Sequence, residues 1–371
     1  MAELCARLIV VSGRRRKQYQ RTVPNATPRR NGYNSRMAQR KKKSARCDVA
    51  MLVDAENGER NKSGRFVLDR ASMEEHVYKA LLSRYKRVAV VPFGPDVGAT
   101  LAELKALKPR VVFNLTEWVD GDRKLDFAIA GLLDILKFRY TGSGPAGLQT
   151  CRDKALSKHL AAGAGVDVPC SFTLGTKDRI ENPGLPYPLL VKPQFGDGSD
   201  EIGKNSLVRT LRELRTRVKA IRSRLKEPVV CEEFIPGHDI YVGVIGNEPR
   251  ILAPTEMVVG SKKASAPKFA TYRLKNDGAY RTKWRVCYRL ARLSPRVQRM
   301  VQDYGKKVFR ALKLRDYARL DFRLTDEGRL VFIEANPNSD LTPNTLGRNL
   351  CFVGIEYRNL IPRIVETARK R

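Results

Sequence analysis

Four polar side chains stand on two short apolar runs: Arg319 and Asp321 in "ARLDFRL" (318–324), Glu334 and Asn336 in "LVFIEANPN" (330–338). A two-residue turn at Glu327-Gly328 would fold these runs into an antiparallel hairpin. That register sets Leu320, Phe322 and Leu324 opposite Ala335, Ile333 and Val331 on an apolar face. On the other face Arg319 falls opposite Asn336, and Asp321 opposite Glu334. Directly opposed side chains have Cβ atoms about 4.5–5.5 Å apart. Two carboxylates so placed repel unless a cation or a shared proton compensates. Oxygens of Asp, Glu and Asn suit Mg2+, which takes a few carboxylates together with substrate phosphates. The plain alternative is a solvated charged face on an exposed hairpin.

A second stretch, "YPLLVKPQFGDGSDEIGK" (187–204), reads as a buried strand delivering Lys192, followed by a loop containing Gly196, Gly198 and Gly203. Such a loop lets backbone amides approach phosphate oxygens, and the lysine adds a point charge. Its spacing matches neither the P-loop nor the dinucleotide fingerprint. A glycine-rich hairpin without any ligand would look similar.

The elements that must position these groups alternate at first. Strands are expected at 47–54, 87–93 and 110–115, with helices at 72–85, 97–108 and 124–138. This order predicts a parallel α/β sheet. In the first helix Ser72 and Glu75 form a capping-box pattern, and Val77, Leu81 and Leu82 share the apolar spacing. A glycine-rich turn follows at 140–147 and a helix at 152–169. Beyond residue 169 strands crowd together, at 170–174, 188–193, 229–235 and 239–246, interrupted by a basic helix over 206–225. That pattern predicts a largely antiparallel α+β region. A basic loop region (260–292), a helix near 296–312 and a last helix near 355–369 complete the reading.

Composition narrows the class. The 371 residues carry a net charge of +32 and 42% hydrophobic residues. Residues 1–47 hold 14 Lys and Arg against Glu3 alone, lack apolar periodicity, and are expected to be a disordered basic tail. The remainder is basic as well, which favours anionic partners: nucleotides, acidic or phosphorylated substrates, nucleic acid or anionic membrane. No apolar run reaches the ~20 residues a membrane span needs, and Leu8–Val11 is too short for a signal-peptide core. Seven scattered cysteines without CxxC spacing argue against a disulfide framework. A cytoplasmic setting with reduced thiols is expected.

Taken in order, "VVFNLTEW", "YTGSGP", "RDKALSK", "PLLVKPQFGDGS", "CEEFIPGHDIYV", "RLDFRL" and "FIEANPN" resemble the successive motifs of the ATP-grasp superfamily, in particular its D-alanine–D-alanine ligase-like branch. The resemblance runs from about residue 48 to 350. It implies an N-terminal parallel α/β domain (48–150) followed by a two-lobed ATP-grasp fold, with a central lobe (151–237) and a C-terminal lobe carrying the Mg2+ site (238–371).

It further implies ATP with Mg2+ or Mn2+ as cofactors, and roles for individual residues. Lys154 and Lys192 resemble the phosphate-contacting lysines, beside Gly196, Gly198 and Ser199 of the loop. Glu232, Glu233, Phe234 and Ile235 match the stretch that lines the adenine, and Asp239 a carboxylate on the ribose hydroxyls. Asp321, Glu334 and Asn336 match the metal ligands. Arg319 resembles the arginine over the reacting centre, Lys275 a lysine reaching the terminal phosphate, and Glu74 the acid holding the first substrate's ammonium. The implied reaction joins a small carboxylate and an amine, amino acids being the expected class, into an amide through an acyl phosphate. Relatives commonly form homodimers.

Departures fall in the substrate pockets: Thr116-Glu117 where the family has His-Gly, Pro337-Asn338-Ser339-Asp340 where it has a glycine-containing segment, and Thr345 in place of a serine. Two other readings stay open at this point. One is an ATP-binding regulator that no longer ligates. The other, less favoured, is a nucleic-acid-binding protein acting through its basic tail and the 206–225 helix, which has charge but little aromatic interleaving.

Overall fold

The computed structural model describes residues 46–182, 184–196, 201–261, 263, 266–343 and 355–371. The expected basic tail lies almost wholly outside them.

Strand β1 (Val49–Asp54) is buried along its whole length. Its unbroken apolar run requires cover on both faces, and the chain provides it. After a small hairpin of β2 (Gly58–Arg60) and β3 (Phe66–Leu68) come α1 (Met73–Leu82), β4 (Val88–Phe93), α2 (Val97–Leu107), β5 (Val111–Asn114) and α3 (Asp126–Ile135). β4 and β5 flank β1 in parallel, as alternating strands and helices predict. Val49, Met51 and Val53 pack on Val77 and Leu81 of α1. Ala50 and Leu52 pack on the other side with Leu104 of α2 and Ile129 and Leu133 of α3. Leu82, expected on the apolar face, is 48% exposed because α1 ends there. Ser72 caps α1 through the Glu75 N–H, whereas Glu75 reaches back to the Ala71 N–H and not to that of Ser72.

The helix expected over 152–169 is the shorter α5 (Lys154–Gly163), and a separate α4 (Pro145–Arg152) precedes it, starting within the expected glycine-rich turn. They break at Asp153, whose carboxylate accepts the Ala155 and Leu156 N–H groups and so starts α5 afresh. A second, antiparallel sheet follows, from β6 (Ser171–Leu174), β7 (Leu189–Pro193), β8 (Leu207–Val208) and β9 (Val229–Glu233), in the order β6-β9-β7-β8. The basic helix α6 (Leu211–Leu225) starts later than expected, because Thr210 accepts the Glu213 N–H as an N-cap. It turns Leu214, Val218 and Ile221 onto this sheet.

The third sheet is antiparallel too. It holds β10 (His238–Ile245), β11 (Arg250–Ile251) and β12 (Thr255–Val259); after α7 (Tyr272–Asn276) and α8 (Gly278–Lys283) come β13 (Val286–Leu290), then α9 (Pro295–Ala311), β14 (Tyr317–Leu324) and β15 (Leu330–Pro337). The region 260–292 is therefore not simply a loop. Thr271 and Asp277 cap the two short helices within it. Helix α9 covers one face of the sheet with Val297, Val301, Val308 and Phe309. The last helix, α10 (Tyr357–Lys370), returns to the first sheet and packs Leu360, Ile361, Ile364 and Val365 against Val49, Val77 and Leu81.

The β14–β15 hairpin corrects the expected register in part. Its loop has three residues, Asp326 to Gly328: the Thr325 N–H donates to the Arg329 carbonyl, and Gly328 takes φ +82°. Leu324 therefore faces Leu330, and Phe322 faces Phe332. A bulge at Ile333 then restores the expected pairs, Asp321 with Glu334 and Arg319 with Asn336. Phe332 thus takes the core position opposite Phe322, with ring centroids 5.7 Å apart, that the sequence pattern assigned to Ile333.

Two outcomes follow from this packing. Gly237 has φ +125°, and a Cβ there would lie 2.1 Å from the Leu324 carbonyl oxygen. Gly237→Ala should lower stability by roughly 1–3 kcal/mol, read as a lower thermal midpoint. Burial, with the Glu117 and Glu74 carboxylates adding to it, raises Asp54 to about 6 against the Glu117 and Trp118 N–H donors. A carboxyl raised on folding binds more protons in the native state, so stability should fall as pH climbs from about 4 to about 6. Asp54→Asn should flatten that segment of a thermal-midpoint profile; an unchanged slope would remove Asp54 as its source.

Candidate active site

The second and third sheets face each other across a cleft, and its second-sheet wall is built around one buried carboxylate. Glu232 on β9 receives Lys158 Nζ at 2.7 Å and Lys192 Nζ at 2.8 Å, with all three side chains about 2% exposed. Burial opposes ionisation of Glu232, yet the two ammonium groups hold its carboxyl below the usual range. Burial pulls Lys158 down to about 8. Lys154, in the first turn of α5 because the chain breaks at Asp153, donates to the Gly196 carbonyl at 2.5 Å. Both sequence-assigned lysines are thus fixed beside the start of the glycine-rich loop. Gly198 and Ser199 lie outside the described residues.

The third-sheet wall is the β14–β15 hairpin. Arg319 grips Asp321 with two parallel hydrogen bonds, at 2.7 and 2.9 Å. Opposite, Glu334 lies 3.7 Å from Lys275 of α7. Burial opposes ionisation of Glu334, but Lys275, Lys192, Lys154 and Arg319 together hold it down to about 2. Asp321 is raised, by burial first and by the Glu334 charge, against the pull of Arg319. Asn336 sits two pairs along the ladder, on the same face, its amide nitrogen buried without a hydrogen-bond partner.

These groups meet in one cavity. Lys192, Glu232 to Ile235, Asp239, Lys275, Asp321 and Glu334 line it, with Phe269 and Ile333 among its apolar walls. The bulge matters here, since it turns Ile333 and Glu334 alike into the cleft while Phe332 stays in the core. Asp239 is held at 2.9 Å by Arg323, which also donates to the Ile235 and Lys268 carbonyls. Arg323 was missed in the sequence, although it stands in the same "RLDFRL" run as Arg319 and Asp321. Lys158 was missed too; four residues after Lys154 on α5, it shares that residue's face.

A second cavity, of about 320 Å³, opens at the far end of the hairpin, where Arg319, Asn336 and Lys275 meet Thr116, Glu117, Arg123, Asp126 and Arg152. Arg123 pairs with Glu117, and Arg152 with Asp126 at 2.5 Å. No local pattern marks these pairs, because they join residues from a loop and two helices. Glu74, by contrast, lines neither cavity. It is buried at the start of α1 and accepts from the Asn57 amide at 2.9 Å.

The donor set suits a hard divalent cation. Two carboxylates and an amide share one face of the hairpin, and a carboxylate that accepts two hydrogen bonds from Arg319 keeps two lone-pair directions. Among the described residues no group of three or more His, Cys, Asp or Glu side chains is placed to hold a metal. The amide and phosphate oxygens would have to complete the shell.

Comparison with known proteins agrees with this architecture. Residues 173–366 match the profile of the D-ala D-ala ligase C-terminus. The chain is 32% identical over 326 residues to the D-alanine–D-alanine ligase of Gluconobacter oxydans, covering 87% of this chain and 99% of that one. The structure of the Bacillus anthracis D-alanine–D-alanine ligase complexed with ATP superposes with a TM-score of 0.65 at 19% identity, over 87% of this chain and 99% of that one. The VanG D-Ala:D-Ser ligase of Enterococcus faecalis gives 0.62 at 16%, over 87% and 100%. With the parallel sheet, the two facing antiparallel sheets and the ordered motifs in agreement, the chain belongs to the D-alanine–D-alanine ligase-like branch of the ATP-grasp superfamily, a family of ATP-dependent ligases.

Proposed function

We propose that this protein joins a carboxylate and an amine into an amide at the expense of ATP, by way of an acyl phosphate. The observation that carries the reading is the meeting of Lys192, Lys275, Asp321, Glu334 and the 232–235 stretch around one cleft. In it, a carboxylate oxygen attacks the γ-phosphorus of ATP and the bond to the β-phosphate breaks, releasing ADP. The amine then attacks the acyl carbon, loses a proton, and expels phosphate.

Each stage brings anions together, so the side-chain charges have a defined task. Lys154 and Lys192 hold the phosphates, and Lys275 meets the transferring phosphoryl group. Backbone groups of Glu232 to Ile235 face the adenine, and Asp239, steadied by Arg323, accepts from the ribose hydroxyls. Asp321, Glu334 and Asn336 would hold Mg2+, which neutralises charge on the phosphates when bound. Arg319 lines the second cavity beside Lys275, which borders both, and stabilises the tetrahedral oxyanion formed when the amine adds. We assign Glu74 to the first substrate's ammonium on the resemblance alone. The free thiols Cys47, Cys151, Cys170, Cys231 and Cys287 fit a reducing, cytoplasmic setting.

The test is ATP-dependent phosphate release by purified protein against pooled amino acids and small acids, with products identified by mass. Asp321→Asn and Lys192→Ala should each reduce release by on the order of 10²–10³-fold. Binding of Mn2+ with ADP, followed by electron paramagnetic resonance, should weaken in Asp321→Asn. Release without a new amide mass under every pool would refute the ligase assignment. Retained Mn2+ binding in the variant would refute the metal assignment.

A further inference from the structure

Beside the reacting centre lies a much larger chamber, of about 960 Å³. Three regions line it: the loop around Trp118 to Lys124, Phe195, Gly196 and Glu201 to Asn205 together with α6, and the α7–α8 segment. Arg123 and Arg152 line both this chamber and the 320 Å³ cavity that holds Arg319 and Asn336, so the two spaces join at those guanidinium groups. A small amino acid would fill neither. Cavities of roughly 300–1,000 Å³ accommodate far larger ligands.

The walls of the chamber are cationic. They carry eight Lys and Arg side chains against three Asp and Glu. Of those acids, Glu201 is already paired with Arg224 at 2.8 Å, and Glu227 lies 3.5 Å from Lys124. Arg217 is 6% exposed; it donates from one end of its guanidinium to the Glu201 carbonyl, while its Nε is buried without a hydrogen-bond partner. Among the described residues no carboxylate stands at ion-pair distance from Arg217, Lys204 or Lys283. The nearest negative charge to Arg217, the Glu201 carboxylate, is already engaged by Arg224, so a further anion would offset the cost of burying this guanidinium.

We propose that the chamber receives an anionic extension of the ligase substrate, a carboxylate- or phosphate-bearing group several bonds from the reacting end. The assignment of that anion to a substrate rests on the ligase reading above; the anion site does not. Arg123 and Arg152 lie at the junction and guide the chain of the substrate, while Arg217, Lys204 and Lys283 meet its charge.

The molecule carries its own reporter. Its two tryptophans, Trp118 and Trp284, both line the chamber. Arg123 lies 4.9 Å from the Trp118 ring centroid, and Lys283 lies 5.5 Å from that of Trp284. An anion drawn to either cation should alter indole emission. The experiment titrates tryptophan fluorescence with triglutamate, O-phosphoserine and their neutral counterparts, triglutamine and serine. Saturating ADP and Mg2+ keep the nucleotide cleft filled, and calorimetry repeats the ranking without using the indoles.

Saturable binding of triglutamate, of O-phosphoserine or of both, at least about tenfold tighter than the neutral counterparts and weakened by salt, is expected. The two arms identify which anion the chamber takes. Lys204→Glu and Lys283→Glu, both at exposed positions, should each weaken that binding severalfold. Equal binding of charged and neutral probes, no binding at low salt, or unchanged affinity in both variants would overturn the proposal. Asp321→Asn separates the two readings, since it should lower turnover on the order of 10²–10³-fold and leave anion binding intact. Anion binding with no ligation of any acid–amine pair would sink the ligase reading and keep the site. Ligation confined to neutral substrates, with a silent chamber, would do the reverse.

Discussion

A carboxylate taken out of water must be matched by a nearby cation or lose its charge, and the cleft of this protein is organised around that constraint. Glu232 sits between Lys158 and Lys192, Asp321 in the fork of Arg319, Glu334 under Lys275, and Asp239 against Arg323. Each sheet contributes its own charged groups, and the apolar layers behind them fix where those groups stand. On the third sheet that layer includes Phe322 and Phe332, which hold the hairpin so that its polar face meets the cleft. On the second sheet it is the α6 face of Leu214, Val218 and Ile221.

The same balance prepares the cleft for a polyanion. Glu334 is kept ionised by four cations, not by a single partner, so adding phosphate redistributes an existing field and does not require the charges to be assembled anew. Lys192 is held by Glu232 at 2.8 Å and still contributes to the field on Glu334. Lys158 has no direct place in the cavity, yet without it Glu232 would draw on Lys192 alone. Such preorganisation is what a site needs when two negatively charged reactants must approach.

Family membership and substrate identity separate along a physical boundary. Most of the groups proposed to face the nucleotide, Lys192, Glu232, Glu233, Asp239, Asp321 and Glu334, lie on strands, where the fold leaves little freedom. The groups around the second cavity, Glu117, Arg123, Asp126 and Arg152, come from a loop and from helix ends, where exchange of a side chain leaves the core untouched. The departure from the family at Thr116-Glu117 falls there, and Glu117 is engaged by Arg123. In the proposed reaction, chemistry at the phosphates and selectivity at the substrates would thus be carried by different parts of the chain.

Local pattern determined much of this molecule. Unbroken apolar runs marked β1 and β7, alternation marked the hairpin, and the residue types on its polar face marked a carboxylate pair needing a cation. These features depend on neighbours within a few residues, which a sequence displays directly. The pairing of Asp321 with Glu334 was legible even though the turn was misread, because a three-residue loop and the bulge at Ile333 shift the register by one in opposite senses. What tertiary structure alone decided are contacts between residues far apart in the chain: the grip of Arg323 on Asp239, the return of α10 to the first sheet, and the convergence of Arg123 and Arg152 on the cavity that holds Arg319 and Asn336. Such meetings depend on how three sheets pack in space, and no periodicity or spacing along the chain encodes that packing locally.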